Sequence, residues 1–189
     1  MKIVIGCANF GKEYNGLKVP DAEIEKIWKY CRKHDIDTVD TARAYEYDPP
    51  GDFEIITKVT YQQPEISYRV NTVLAHHVKD LKIPGFWNYI VSLKDEGYCD
   101  KIGVSIYDDD ISFLLTAYKG IDVIQLPYKQ NKSKIKKYGD RVEFHARKVF
   151  ADDCFIEAVK DKNVSKVVIG IDNLKQLKQN LKRMNNELE

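Results

Sequence analysis

The sequence predicts an α/β fold of the (β/α)8 type: eight parallel strands closed into a barrel, in a single domain over residues 1–189. Three observations lead there. Short apolar runs alternate with helical patterns along the whole chain, which implies parallel pairing through right-handed crossovers. Eight such runs occur, and eight favours closure over an open sheet. No Gly/Ser linker, internal repeat or low-complexity tract divides the 189 residues, too few for two full domains.

The elements follow in order. Lys2–Cys7 is a compact β-branched strand. Asp21 is placed to cap a helix running to about His34, where Ile24, Ile27, Trp28 and Cys31 recur on one face. Strands are expected at Asp37–Thr41, Glu54–Val59 and Asn71–His76. A helix over Gly85–Glu96 stops at Gly97. Strand Lys101–Ser105, helix Asp109–Lys119 and strand Ile121–Leu126 come next. A short helix near Ser133–Tyr138, strand Val142–Arg147 and a stub helix at Cys154–Lys160 lead to strand Ser165–Gly170 and helix Leu174–Leu188.

The size is tight, at about 24 residues per unit, below what is usual for this architecture. The shortage is local. Twelve residues separate Thr41 from Glu54, and they contain Asp48-Pro49-Pro50-Gly51, which forbids a helix in the middle. Eleven separate Val59 from Asn71, with Pro64 among them. Two crossovers, after strands 2 and 3, are therefore expected as bare loops. Their strands would show apolar side chains such as Ile55, Val59 and Val73 outward, and a homodimer or larger homo-oligomer is expected to cover them.

Composition removes several classes. Thirty Lys and Arg balance 29 Asp and Glu, so nothing favours nucleic acid or an acidic membrane. No apolar run approaches a membrane span, and the N-terminal run reads as a strand rather than a signal peptide. Cys7, Cys31, Cys99 and Cys154 are scattered, which fits reduced, semi-buried thiols in a cytoplasmic protein. Asp40, His76 and His145 lack metal-ligand spacing on any one element, so no metal is expected. His145 reads as a satisfied structural histidine. The run Lys129, Lys132, Lys134, Lys136 and Lys137 reads as solvated surface.

In such a barrel, chemistry gathers at the carboxyl ends of the strands. Asp40, Tyr45 in the following loop, Lys58, His76, Ser105 and Gln125 fall there. A phenol with a pKa near 10 is a poor acid at neutral pH, and an adjacent ammonium draws it down. The ammonium in turn needs a carboxylate if it is half-buried. Asp40 would hold Lys58, Lys58 would tune Tyr45, and His76 would orient a substrate oxygen. The adjacent His76 and His77 would point to opposite faces of their strand, so they cannot both line the mouth. This is equipment for reducing a carbonyl with hydride from a bound cofactor.

Seven stretches in order, including Ile5-Gly6-Cys7-Ala8-Asn9-Phe10-Gly11, Asp40-Thr41-Ala42-Arg43-Ala44-Tyr45, Ile56-Thr57-Lys58-Val59, Gly103-Val104-Ser105 and Gly170-Ile171-Asp172-Asn173, resemble the aldo-keto reductase superfamily. The resemblance implies a catalytic tetrad of Asp40, Tyr45, Lys58 and His76. It implies nicotinamide contacts at Ser105 and Gln125, with Gly6 also in the cofactor set. A phosphate and adenine loop at Gly170, Asp172 and Asn173 would be joined by Gln176 and Asn180. The implied reaction is reduction of a small aldehyde, ketone or sugar carbonyl with NADPH. The arginine many members place against the 2′-phosphate is replaced by Gln176, with Lys175 and Lys178 nearby, so NADPH is expected to be preferred over NADH only modestly. The chain departs from its relatives in being short and in lacking most of the C-terminal substrate loop. That leaves one alternative, a reductase-like scaffold without turnover that serves as a binding or regulatory subunit.

Overall fold

A computed structural model describes residues 2–13 and 16–188. Eight strands, β1 (Ile3–Gly6), β2 (Thr38–Asp40), β3 (Glu54–Val59), β4 (Thr72–Ala75), β5 (Lys101–Ser105), β6 (Val123–Pro127), β7 (Glu143–Arg147) and β8 (Val164–Gly170), close in sequence order. Every pairing is parallel, and β1 closes on β8 with Val4 opposite Val168 and Gly6 opposite Gly170. Six helices lie outside: α1 (Asp21–Lys33), α2 (Phe86–Asp95), α3 (Ile111–Ala117), α4 (Tyr128–Tyr138), α5 (Phe155–Lys160) and α6 (Leu174–Leu188). After β2 there is only a 3-10 turn at Arg43–Tyr45, and no helix follows β3. The two expected gaps are both present, and α5 is short.

Strand alternation sorts the side chains into two cores. Ile3, Ile5, Val39, Ile55, Val73 and Ile102 join the helices in the outer core. Val4, Ile56, Leu74 and Val123 form a separate plug inside the barrel. Below the plug, at the amino ends, inward polar residues pair off. Lys166 Nζ reaches Thr38 Oγ1 at 2.9 Å and Glu54 Oε2 at 3.0 Å, and Lys101 meets Glu143. Above the plug lies the mouth.

The structure corrects several expectations. The outward faces of the thinned side are not bare: Ile55 is 3% exposed, and Val59 and Val73 are fully buried within one chain. Aromatic side chains do the work of the missing helices. Trp28 of α1 packs on Phe53 at 5.0 Å between ring centroids and bonds Tyr47 through its indole N–H at 2.7 Å, with Phe10 completing the group. Ile66 and Tyr68 from the loop after β3 pack against the same core, and the Tyr68 hydroxyl donates to Asp48 at 3.1 Å. The reason for expecting a homo-oligomer is thereby removed.

Helix α4 begins at Tyr128, directly after β6 and earlier than its apolar pattern indicated. Its buried face is Tyr128, Asn131, Ile135 and Tyr138, so a polar residue fills one core position and hides the period. Asn131 is fully buried; its Nδ2 donates to the carbonyls of Pro127 and Tyr107, while its Oδ1 is left without a partner. Asp21 is the first residue of α1, not its cap; Pro20 holds the cap position and no side chain bonds there. His145 is buried, yet neither ring nitrogen has a hydrogen-bond partner, so it is not satisfied. All four cysteines are free and buried rather than half-buried. No helix among the described residues is long and apolar enough to cross a membrane.

Candidate functional site

The carboxyl ends of β2, β3 and β6 bring three polar side chains into contact. Lys58 Nζ sits 2.5 Å from Asp40 Oδ1 and 2.8 Å from the Thr41 carbonyl. Gln125 Nε2 donates to the other carboxylate oxygen of Asp40 at 2.7 Å. All three are at most 4% exposed. Burial weakens the case for charge on Lys58, but Asp40 and Tyr45 beside it outweigh that and hold its pKa above the usual lysine value.

Tyr45 enters from the 3-10 turn. The chain reverses immediately after it because Glu46 takes the left-handed conformation (φ 55°). The loop after β1 passes so close below that a side chain at Gly11 would collide with the Tyr45 carbonyl, so only glycine fits there. The Tyr45 ring lies 5.3 Å from the Lys58 ammonium and 6.0 Å from the His76 ring, edge to face.

His76 does not behave as strand alternation predicts. Strand β4 ends at Ala75, so the two following histidines are freed from the pleat and their rings stack, 4.5 Å apart and 4° from parallel. Both therefore sit on the same side. Burial, then the charges of Lys58, His77 and Arg147, push the His76 pKa down to about 3. It is a neutral imidazole at neutral pH, with Nδ1 buried and unpartnered.

The groups expected to hold a cofactor divide in two. Ser105 and Gln125 face each other in register, and Gln125 Oε1 is a buried acceptor with no partner. Gly6 stands in register between Gly170 and Asp40. That half of the site offers the acceptor a nicotinamide carboxamide would need. Gly170 has open space where a side chain would lie. The loop beyond it, however, is already bonded to itself. Gln176 Oε1 accepts from the Asp172 N–H at 2.7 Å, Asn173 Oδ1 accepts from the Gln176 N–H at 2.9 Å, and Asp172 is held by Asn9 at 2.9 Å. The Glu23 carboxylate of α1 accepts from the Leu174 N–H at 2.9 Å, which puts a negative charge at the start of α6. Asn180 Nδ2 remains buried and unpartnered. Lys178 lies over the Tyr30 ring at 5.3 Å, and Lys175 is exposed.

Three participants were missed from sequence. Glu23 reaches Leu174 across 151 positions, a contact no local pattern signals. His77 was set aside by a strand rule that no longer applied. Arg147 had one usable signal, its inward parity with His145 at the end of β7.

No family model matches the sequence, and no curated protein matches it. Solved structures do. A Pseudomonas aeruginosa protein assigned to the aldo-keto reductases superposes with a TM-score of 0.81 at 18% identity, covering 100% of this chain and 91% of that one. An aldo-keto reductase from Klebsiella pneumoniae in complex with NADPH gives 0.75 at 12% identity, covering 97% and 85%. The holo form of an aldo-keto reductase from Bacillus halodurans gives 0.74 at 16% identity, covering 96% and 85%. With its closed parallel barrel and near-complete coverage of these structures, the chain has the aldo-keto reductase fold.

Proposed function

We propose that the chain is a compact member of the aldo-keto reductase superfamily that reduces an aldehyde, ketone or sugar carbonyl with NADPH. The observation that carries this reading is the fully buried Lys58, locked to Asp40 at 2.5 Å and facing the Tyr45 ring. A buried ion pair is a poor stabilising device compared with apolar packing, so its place at the mouth calls for a chemical role. Lys58 makes loss of the Tyr45 proton easier, and Tyr45 delivers that proton to the carbonyl oxygen. His76, neutral, is suited to hydrogen-bond the same oxygen and set its direction. Ser105 and Gln125 Oε1 would hold the carboxamide of the nicotinamide. The cofactor, when bound, supplies the hydride. Of the two lysines near the loop, Lys175 is the freer to meet a 2′-phosphate, since Lys178 rests on Tyr30.

The other reading, a scaffold without turnover, has no use for a buried lysine in this place. Titration of NADPH fluorescence, followed by turnover over a panel of small carbonyls, separates the two. Quenching together with carbonyl-dependent NADPH oxidation is expected. Quenching without oxidation of NADPH by any carbonyl supports the scaffold.

A further inference from the structure

We propose that Arg147 makes this mouth selective for carbonyl compounds that carry an oxyanionic group, a carboxylate in the first instance; the proposal deepens the reductase reading and rests on it. Along β7, Phe144 and Ala146 belong to the outer core, so Glu143, His145 and Arg147 share the inward face. Arg147 ends the strand at the carboxyl side, opposite Pro127. That end of the barrel is the mouth at which Lys58 and Gln125 also lie near the ends of their strands, and Arg147 spans from it to the Ile106 carbonyl just beyond β5.

The guanidinium is held but not neutralised. Its Nη2 donates to the Ile106 carbonyl at 2.7 Å, and its plane lies 4.3 Å from the Tyr107 ring. Its Nε is buried and has no hydrogen-bond partner. Among the described residues no carboxylate lies within ion-pair distance of it. Asp40 is engaged by Lys58 and Gln125, and Asp172 by Asn9. Lys148 follows in the left-handed region (φ 58°) and sets a second ammonium 4.9 Å from the same Tyr107 ring. A buried donor without an acceptor is costly, and a planar guanidinium fork matches a carboxylate in two parallel hydrogen bonds. An incoming carboxylate would take the guanidinium N–H groups that Ile106 leaves free, at the same barrel mouth as Tyr45 and His76.

A cofactor phosphate has the same chemistry, so the test separates the two sources. Butanoate is titrated into ¹⁵N-labelled protein, as isolated and with NADP⁺, while the His76 ring resonances are followed. A saturable shift is expected for the natural chain, weakened at least tenfold in Arg147→Gln and less in Arg147→Lys. No shift, or an equal shift in the variants, overturns the proposal. Should Arg147→Gln not fold, Arg147→Lys decides, because the lysine keeps the charge without the fork; affinity equal to the natural chain's overturns it. In turnover, the kcat/KM ratio of 4-oxobutanoate over butanal, which differ by the carboxylate, is expected to fall at least tenfold in Arg147→Gln. An unchanged ratio with weakened NADPH binding assigns Arg147 to the cofactor phosphate instead and overturns the proposal. If no carbonyl is reduced at all, the reductase reading fails, while the butanoate titration still decides the anion site.

Discussion

Gln125 donates its side-chain amide to the one Asp40 oxygen that Lys58 leaves free, at 2.7 Å. That bond fixes which end of the Gln125 amide faces the mouth: with Nε2 committed to Asp40, Oε1 is left as the acceptor. The group expected to hold the nicotinamide and the group expected to tune the proton donor are thus one hydrogen-bonded unit. A disturbance of Asp40 should be felt in cofactor binding as well as in rate.

Lys58→Met tests that unit through stability. It leaves the Asp40 carboxylate buried without its ammonium partner, and an uncompensated buried charge costs about 3–5 kcal/mol. The double variant Asp40→Asn, Lys58→Met removes both charges and is expected to recover much of the loss in urea unfolding. Additive losses would show that the pair is not coupled.

Glu23 sets a second expectation. Its carboxylate occupies the Leu174 N–H where an anionic phosphate would gain most from the start of α6. Glu23→Gln keeps an acceptor but removes the charge. NADPH should then bind more tightly by a factor of about 2–5, as expected for removing one exposed charge at a helix terminus. Fluorescence titration reads this directly, and unchanged affinity would place the phosphates elsewhere.

His145 governs behaviour in acid. Burial first, then Lys166, Lys101 and Lys58, push its pKa down to about 3. In the unfolded chain it protonates near pH 6.5, so between about pH 6.5 and 3 the unfolded state binds the extra proton. Stability is therefore full above that window and is lost as pH falls through it. His76, also down to about 3, adds to the same slope. His145→Leu is expected to shrink the loss of stability between about pH 7 and pH 4, and to cost little at neutral pH because no hydrogen bond is broken. An unaltered acid slope in thermal unfolding would contradict this.

The strands were legible because β-branched runs such as Glu54–Val59 and Lys101–Ser105 carry their own boundaries. The missing helices were legible too, from Asp48-Pro49-Pro50-Gly51 and the short spacer around Pro64. What covers their strands was not, because Trp28, Tyr47 and Phe53 come from separate segments and only the closed fold brings them together. In the site, Asp40 and Lys58 meet because strand ends converge, and their types at those ends announced it; the bond from Gln125 to Asp40 was not foreseen, since an amide at a strand end names no partner. Asn131 misled because a polar residue with two backbone acceptors can fill a core position. His77 misled because one residue beyond a strand's end the two-residue period no longer holds.

The most direct test of the central claim compares Tyr45→Phe with the natural chain, measuring NADPH affinity and carbonyl-dependent NADPH oxidation in the same preparations. The variant loses only a hydroxyl, so binding should be retained while kcat falls by roughly 10²–10⁴, the range for a lost general acid. Undiminished turnover in Tyr45→Phe would contradict the account, since the proton would then come from another group.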